Sequence, residues 1–362
     1  MNQTDIIKAL STVDDPDLKK DLVTLNMVKD VFVEGKDVRF TVVLTTPACP
    51  LKEVIRKACE KAIHDLVDSE ARIFINLTAD VTSTRDNTPI LPNVKNIIAV
   101  ASGKGGVGKS TVTANLALAL SQSGAKVGII DADIFGPSIP TMFKTEGSQP
   151  GIIQKGEKNM IIPIEKYGIK LLSIGYLAPG DDAVVWRGPM ASTALKQFMT
   201  DTEWGELDYL LIDLPPGTSD IHITLVQTVP VTGAVIVTTP QKVALADAQK
   251  GISMFRQKQI NVPILGVIEN MSYFTPAELP DNKYYIFGKG GGEVLADRYE
   301  IPFLGEIPLV QSIRESGDEG EPFVMQADHP VTASFKKLAE ELARNIAIRN
   351  ASKQGNEEAV LS

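Results

Sequence analysis

The sequence predicts an α/β protein in which a mostly parallel sheet is covered by helices, preceded by a small α+β unit. Three observations predict it. Short apolar runs recur at residues 97–101, 127–130, 171–174, 209–212, 234–237 and 264–268, with a weaker seventh at 303–307. Helical patterns separate most of these runs, and buried strands alternating with helices indicate a parallel sheet sheltered on both faces. Before Asn96 the pattern differs: two β-branched runs lie close together, followed by one helical and one extended segment.

Taken in order, residues 28–33 and 38–44 read as strands joined in a hairpin by Glu34-Gly35-Lys36-Asp37. Residues 50–67 carry helical spacing, with Leu51, Val54, Ile55, Ala58, Ala62 and Ile63 on one side. Residues 72–77 form a third strand. Residues 86–93, with Pro89 and Pro92, have linker composition. The expected organisation is therefore a small α+β domain at 1–85, a linker at 86–95 and an α/β domain at 96–350. A polar tail at 351–362 is expected to be disordered. A last helix over 331–349 places Phe335, Leu338, Leu342 and Ile346 on one face. Its polar face mixes Glu340, Glu341, Lys336 and Arg344, which favours packing against the core over a membrane role.

Composition narrows the function classes. The chain has 362 residues, room for roughly two domains. With 43% hydrophobic and 22% charged residues it has the balance of a soluble globular protein. A net charge of −9 argues against general nucleic-acid binding, which rests on Lys and Arg neutralising phosphates. The start, MNQTDIIKAL, lacks the basic-then-apolar order of a secretion signal, and no apolar run approaches the ~18 residues of a membrane span. Cys49 and Cys59 are too few for a disulfide framework and fit a reducing compartment. The expectation is a cytoplasmic protein without stable membrane association. His64, His222 and His329 have no metal-ligand spacing, so no zinc site is expected.

The strongest motif is Gly103-Lys104-Gly105-Gly106-Val107-Gly108-Lys109-Ser110-Thr111, which follows the run 97–101 and opens the apolar segment 112–120. That is the strand–loop–helix context of a P-loop. Its glycines let backbone N–H groups turn toward phosphates, and the helix N-terminus adds a favourable dipole. Lys109 is expected on the β/γ-phosphates of ATP and Ser110 on Mg²⁺. Two acidic motifs end later strands, where open α/β sheets bind ligands. Asp131-Ala132-Asp133 follows the second strand, and Asp213-Leu214-Pro215-Pro216-Gly217 follows the run 209–212. For Asp131 a turn or helix-cap role is as strong a reading as a role in the site, whereas for Asp213 it is the weaker one.

The second lysine, Lys104, resembles the deviant Walker A group typified by the nitrogenase iron protein and the MinD/ParA ATPases. That resemblance implies a homodimer in which Lys104 reaches the partner's nucleotide. It also implies Asp213 as the carboxylate that holds Mg²⁺, Gly217 as a γ-phosphate sensor, Asp133 as the residue positioning the attacking water, and Asn270 as the adenine reader. More narrowly, GKGGVGKST at 103–111, DADIFGPSIP at 131–140, WRGPM at 186–190, DYLLIDLPPGTSD at 208–220, VIENMSYF at 267–274 and FGKGGGE at 287–293 resemble the Mrp/ApbC family of iron–sulfur cluster carrier ATPases. VDDPDLKKDLVTLNMV at 13–28 and TTPACPLKEVIRKACEKAI at 45–63 resemble the small iron–sulfur assembly domain often fused ahead of it. The family implies a dimeric P-loop ATPase that passes an iron–sulfur cluster to client apoproteins alongside other assembly factors.

One departure bears on the chemistry. Where the family carries C-P-x-C, this chain has Thr275-Pro276-Ala277-Glu278, which lacks the soft sulfur ligands a cluster prefers. Cys49 is the remaining candidate cluster ligand. Placed before Pro50 at an expected helix start, with Lys52 nearby, its thiol is expected to have a lowered pKa. Cys59, ten residues on, lies roughly 15 Å along the same helix, too far to share a cluster, and reads as core. Two functions stay open: an ATP-hydrolysing cluster carrier, and a MinD/ParA-like ATPase switch regulated by partners, without a cluster.

Overall fold

A computed structural model describes residues 1–85, 90–134, 136–177, 188–276, 278–279 and 281–361. The chain divides into two compact units, Met1–Thr84 with Ala343–Ser362, and Arg85–Leu342.

The first unit contains α1 (Gln3–Leu10), β1 (Val28–Glu34), β2 (Asp37–Leu44), α2 (Lys52–Leu66) and β3 (Arg72–Ala79). The β1–β2 hairpin is antiparallel, with Gly35 at a φ of +58° in its turn. β3 pairs parallel to β2, which requires a crossover, and α2 supplies it. α2 buries Ile55, Cys59 and Ile63 in a core with Ile6, Leu10 and Phe40. Val54, expected on that side, is instead 53% exposed. It precedes Ile55 by one residue, hence about 100° around the helix axis, and Ile55 takes the inward position.

The second unit continues with β4 (Val94–Ala101), α3 (Lys109–Gln122), β5 (Val127–Asp131), α4 (Ile139–Met142), β6 (Gly151–Lys155), β7 (Lys158–Ile162), β8 (Ile164–Lys166) and β9 (Ile169–Ser173). Next come α5 (Gly188–Thr200), β10 (Leu207–Asp213), α6 (Asp220–Thr228), β11 (Gly233–Thr238), α7 (Lys242–Phe255), β12 (Ile264–Phe274), α8 (Gly291–Arg298), β13 (Phe303–Leu309) and α9 (Gln311–Glu319). The main sheet has the order β13-β12-β11-β4-β10-β5-β9-β8. Every pairing in it is parallel except β8 with β9. β5 and β11 are buried at every residue, which is why they read as continuous apolar runs: neither face meets water. β4 and β10 lie side by side at the centre, so the loops after both open at one edge of the sheet.

Three features depart from the sequence reading. β6 and β7 pair as an exposed hairpin, with Ile152 72% exposed, and β8 adds a short antiparallel edge. β4 begins at Val94, within the stretch expected as linker; residues 86–89 of that stretch lie outside the described residues. Arg85 is buried, and its guanidinium donates to the carbonyls of Ile90, Leu91, Val94 and Pro230. Burial brings its pKa down to about 10. Lastly, α10 (Pro330–Leu361) continues through the tail expected to be disordered. Lys353, Gln354, Glu357, Glu358 and Ala359 favour helix, and Gly355 and Asn356 do not outweigh them. Phe335, Leu338, Leu342 and Ile346 of this helix are all buried. Among the described residues, no helix is long and apolar enough to cross a membrane.

Candidate nucleotide site

The loop between β4 and α3 is built on backbone that only glycine permits at two key points. Gly108, the N-cap of α3, has a φ of +79°, and a Cβ there would lie 2.2 Å from the Asn270 amide nitrogen. A Cβ on Gly103 would lie 2.1 Å from the Asp247 carbonyl carbon. The loop is thus pressed against α7 and β12 and held open for an anion on its other side.

Lys109 begins α3 and is only 6% exposed. Its ammonium lies 2.9 Å from Asp213 Oδ1 and 3.5 Å from Asp133 Oδ2. The Ser110 hydroxyl donates to Asp213 Oδ2 at 2.6 Å, and Thr113 Oγ1 donates to Asp213 Oδ1 at 2.8 Å. Asp213, at the end of β10, is fully buried, so two hydroxyl donors and a cation offset the cost of its charge. The residues expected to act together from sequence are therefore brought together. Thr113 joins them from outside the motif; its spacing of four from Lys109 puts it on the same helix face.

Asp131 resolves as a cap that shapes the next loop. It is fully buried, accepts from Ser173 Oγ at 2.9 Å, and takes the N–H groups of Asp133 and Ile139 at 3.2 Å each. These bonds tie Asp133 and the start of α4 to the end of β5. Burial, then the charge of Asp213, raises the Asp131 pKa to about 7. Phe135, within the DADIFGPSIP motif, lies outside the described residues, as do Trp186 and Arg187 of WRGPM.

Gly217 has a φ of +79° and donates its N–H to the Ser102 carbonyl at 2.8 Å. Lys104 is exposed at the same loop. A cavity of about 210 Å³ is lined by residues of the loop from Ser102 to Thr111 together with Asp133 and Pro216. Beside it, sharing Gly108, Thr111, Ser138 and Met142, lies a cavity of about 390 Å³ bounded by Asn270, Pro308, Val310 and Ile313. The first is phosphate-sized, with a lining of mixed polarity; the second is mostly apolar and suits a nucleoside. Asn270 lies inside β12, which runs on to Phe274 past a register irregularity, with Met271 at a φ of +56°. The Asn270 amide N–H donates to the Val107 carbonyl at 2.9 Å. This fixes its orientation and leaves the amide oxygen as acceptor.

The FGKGGGE motif has a different role from the first glycine-rich loop. The Gly292 N–H donates to the buried Glu269 carboxylate, so a side chain of the protein already fills this helix start. Burial raises the Glu269 pKa.

Cys49 corrects an expectation. α2 begins at Lys52 with Leu51 as its cap, so the thiol stands three residues ahead of the helix. Its pKa is raised, not lowered: burial dominates, Asp15 and Asp17 add to it, and the Leu51 N–H and Lys52 do not outweigh them. Asp17 is paired with Arg344 at 2.6 Å. Cys59 is fully buried, and burial pushes its thiol up to about 12. Among the described residues, no group of three or more His, Cys, Asp or Glu side chains could hold a metal ion. Ala277 lies outside the described residues.

A phosphate loop at the head of a parallel sheet, a buried lysine–aspartate–serine cluster below it and a nucleoside-sized cavity beside it define a P-loop NTPase. Residues 93–343 match the model of the NUBPL iron-transfer P-loop NTPases, and residues 3–72 match that of the iron-sulfur cluster assembly proteins. The chain belongs to this family of iron-transfer P-loop NTPases, with an assembly-type domain at its N-terminus. It is 47% identical over 344 residues to an iron-sulfur cluster carrier protein of Synechocystis, covering 94% of this chain and 96% of the relative. It is 45% identical over 350 residues to the protein of that name from Deinococcus radiodurans, covering 96% of each. A nucleotide-binding protein from Archaeoglobus fulgidus, solved in complex with ADP, aligns with a TM-score of 0.56 and 40% identity, covering 67% of this chain and 91% of that one.

Proposed function

We propose that the protein hydrolyses ATP with Mg²⁺ as a homodimer and carries iron–sulfur clusters to apoproteins. The observation that carries the ATPase half is the Lys109–Asp213–Ser110 cluster facing the phosphate-sized cavity. In the absence of nucleotide Lys109 serves as counter-ion to Asp213 and Asp133; on binding, its ammonium turns to the β/γ-phosphates. The Ser110 hydroxyl and Asp213 carboxylate form a hard-oxygen donor pair of the kind Mg²⁺ takes, and the ion would offset charge on the phosphates. Asp133 orients the attacking water, and Gly217 exchanges the Ser102 carbonyl for a γ-phosphate oxygen. The Asn270 oxygen accepts from the exocyclic amine of adenine, which favours ATP over GTP. The exposed Lys104 reaches the nucleotide of a second copy.

The cluster is cargo, and the thiolate for it comes from Cys49. The ADP complex of the Archaeoglobus relative supports nucleotide binding and the cluster-carrier names of the curated relatives support carriage, while Cys49 is assigned because Thr275-Pro276-Ala277-Glu278 supplies no thiol. The chain's lack of any cysteine beyond Cys49 and Cys59 favours a second one, a partner-regulated ATPase switch with no cluster. Iron and acid-labile sulfide counts after anaerobic reconstitution decide between them. Stoichiometric iron and sulfide support carriage, and none supports the switch.

A further inference from the structure

The segment 214–219 joins the end of β10 to α6, and its connection to the helix runs through one buried ring. His222 is 1% exposed and packs against Phe255, with ring centroids 6.1 Å apart. Its Nδ1 lies 3.2 Å from the Ser219 backbone nitrogen and 3.1 Å from Ser219 Oγ. A backbone N–H only donates, so Nδ1 carries the lone pair and the proton of the neutral ring sits on Nε2. Burial holds the ring neutral, with its pKa lowered to about 4; the nearby positive charge of Lys109 acts in the same direction. Nε2 is buried and has no hydrogen-bond partner among the described residues. A buried donor without an acceptor is costly, and such groups in native proteins call for an explanation.

The position supplies one. Gly217, whose N–H rests on the Ser102 carbonyl, is separated from Ser219 by Thr218 alone. Pro215 and Pro216 stiffen the chain on its other side. Any shift of Gly217 toward a γ-phosphate therefore reaches Ser219, and through its two contacts reaches the His222 ring. We propose that His222 is the positioning residue that couples this segment to α6, and that its Nε2–H gains an acceptor in the triphosphate-bound form that it lacks without the γ-phosphate. This rests on the reading of Gly217 as the γ-phosphate sensor. A hydrogen bond made in one nucleotide state only biases the equilibrium toward that state.

Two substitutions separate the two ring nitrogens. His222→Asn keeps an acceptor near Nδ1 and removes the Nε2 donor, whereas His222→Gln keeps a donor near Nε2. The full-length protein and both variants are titrated with ADP and with a non-hydrolysable ATP analogue in Mg²⁺. Amide hydrogen exchange is followed over residues 214–222. In His222→Asn the affinity for ADP stays as in the parent, while the ratio of analogue to ADP affinity falls by about tenfold, the scale of one net hydrogen bond. Analogue-dependent protection of 214–222 falls with it, and His222→Gln, which keeps the Nε2-side donor but gives up the Nδ1 acceptor to Ser219, loses less of both. An unchanged ratio and unchanged protection in His222→Asn overturn the proposal. So does equal loss in both variants, which assigns the ring to packing alone. If the parent protein shows no difference in exchange at 214–219 between ADP and the analogue, the sensor reading itself fails, and the coupling with it.

Discussion

Replacing Lys109 with Met removes one charge while keeping most of the side-chain volume, and the geometry around the ammonium fixes the consequences. Lys109 is 6% exposed and its ammonium stands 2.9 Å from Asp213 and 3.5 Å from Asp133. Asp213 and the nearby Asp131 are both fully buried. Without the cation these carboxylates face one another in a medium that solvates them poorly. Breaking a buried pair by removing one partner costs about 3–5 kcal/mol, and Lys109→Met should lose that much stability in urea unfolding without nucleotide at neutral pH. Calorimetric titration should show weakened ATP binding, and turnover should fall by about 10²–10³, the effect of removing one electrostatic contact to the developing charge. Wild-type affinity and turnover in Lys109→Met would remove this site from the account. Wild-type stability would refute the buried charge cluster.

Lys104→Ala should bind ATP as a monomer within about twofold of the parent, since Lys104 is exposed, yet hydrolyse it slowly and dimerise poorly by size-exclusion chromatography with ATP. Hydrolysis at the parent rate would exclude the cross-dimer role. Asp131 binds its proton more tightly in the folded protein than in the unfolded chain, because its pKa is raised to about 7. Its contribution to stability is therefore fully present below about pH 4 and is lost as pH rises through about 7. Asp131→Asn should flatten the fall in Tm across that window, and an unaltered slope would count against a buried, proton-holding Asp131. Cys59→Ala should cost about 1–2 kcal/mol by removing a core side chain, and in the intact protein the Cys59 thiol should resist alkylation. Rapid labelling of Cys59 without unfolding would contradict its burial.

Much of the fold is legible from the residues because the physics is local. Continuous apolar runs such as 127–130 and 234–237 fit strands shielded on both faces, and each forms a parallel strand of the main sheet. The phosphate loop is legible because its glycines, its lysine and the helix after it are contiguous. The hairpin of β6 and β7 is not, since Ile152 and its neighbours are exposed and no inside–outside contrast marks them. The Cys49 environment is not either. Its pKa depends on burial and on Asp15 and Asp17, distant in sequence, rather than on its place before a helix. Nothing in the spacing marks His222 or Asp131 as buried; their partners Phe255, Ser173 and Ile139 come from other elements.

The central claim is that this NTPase carries a cluster on a thiolate from its N-terminal unit while hydrolysis proceeds at the P-loop. A dimer offers only two copies of Cys49, while a common cluster takes four thiolates, so on this account the remaining ligands come from a small thiol, a client protein or non-cysteine side chains. Binding should accordingly be labile and sensitive to oxygen. The most direct measurement is cluster transfer to an apo-acceptor after anaerobic reconstitution, made in parallel on the parent protein and on Cys49→Ala and Cys59→Ala. The account predicts transfer by the parent and by folded Cys59→Ala, and none by Cys49→Ala, whose ATP hydrolysis survives. No cluster on the parent, or equal transfer by Cys49→Ala, would contradict it.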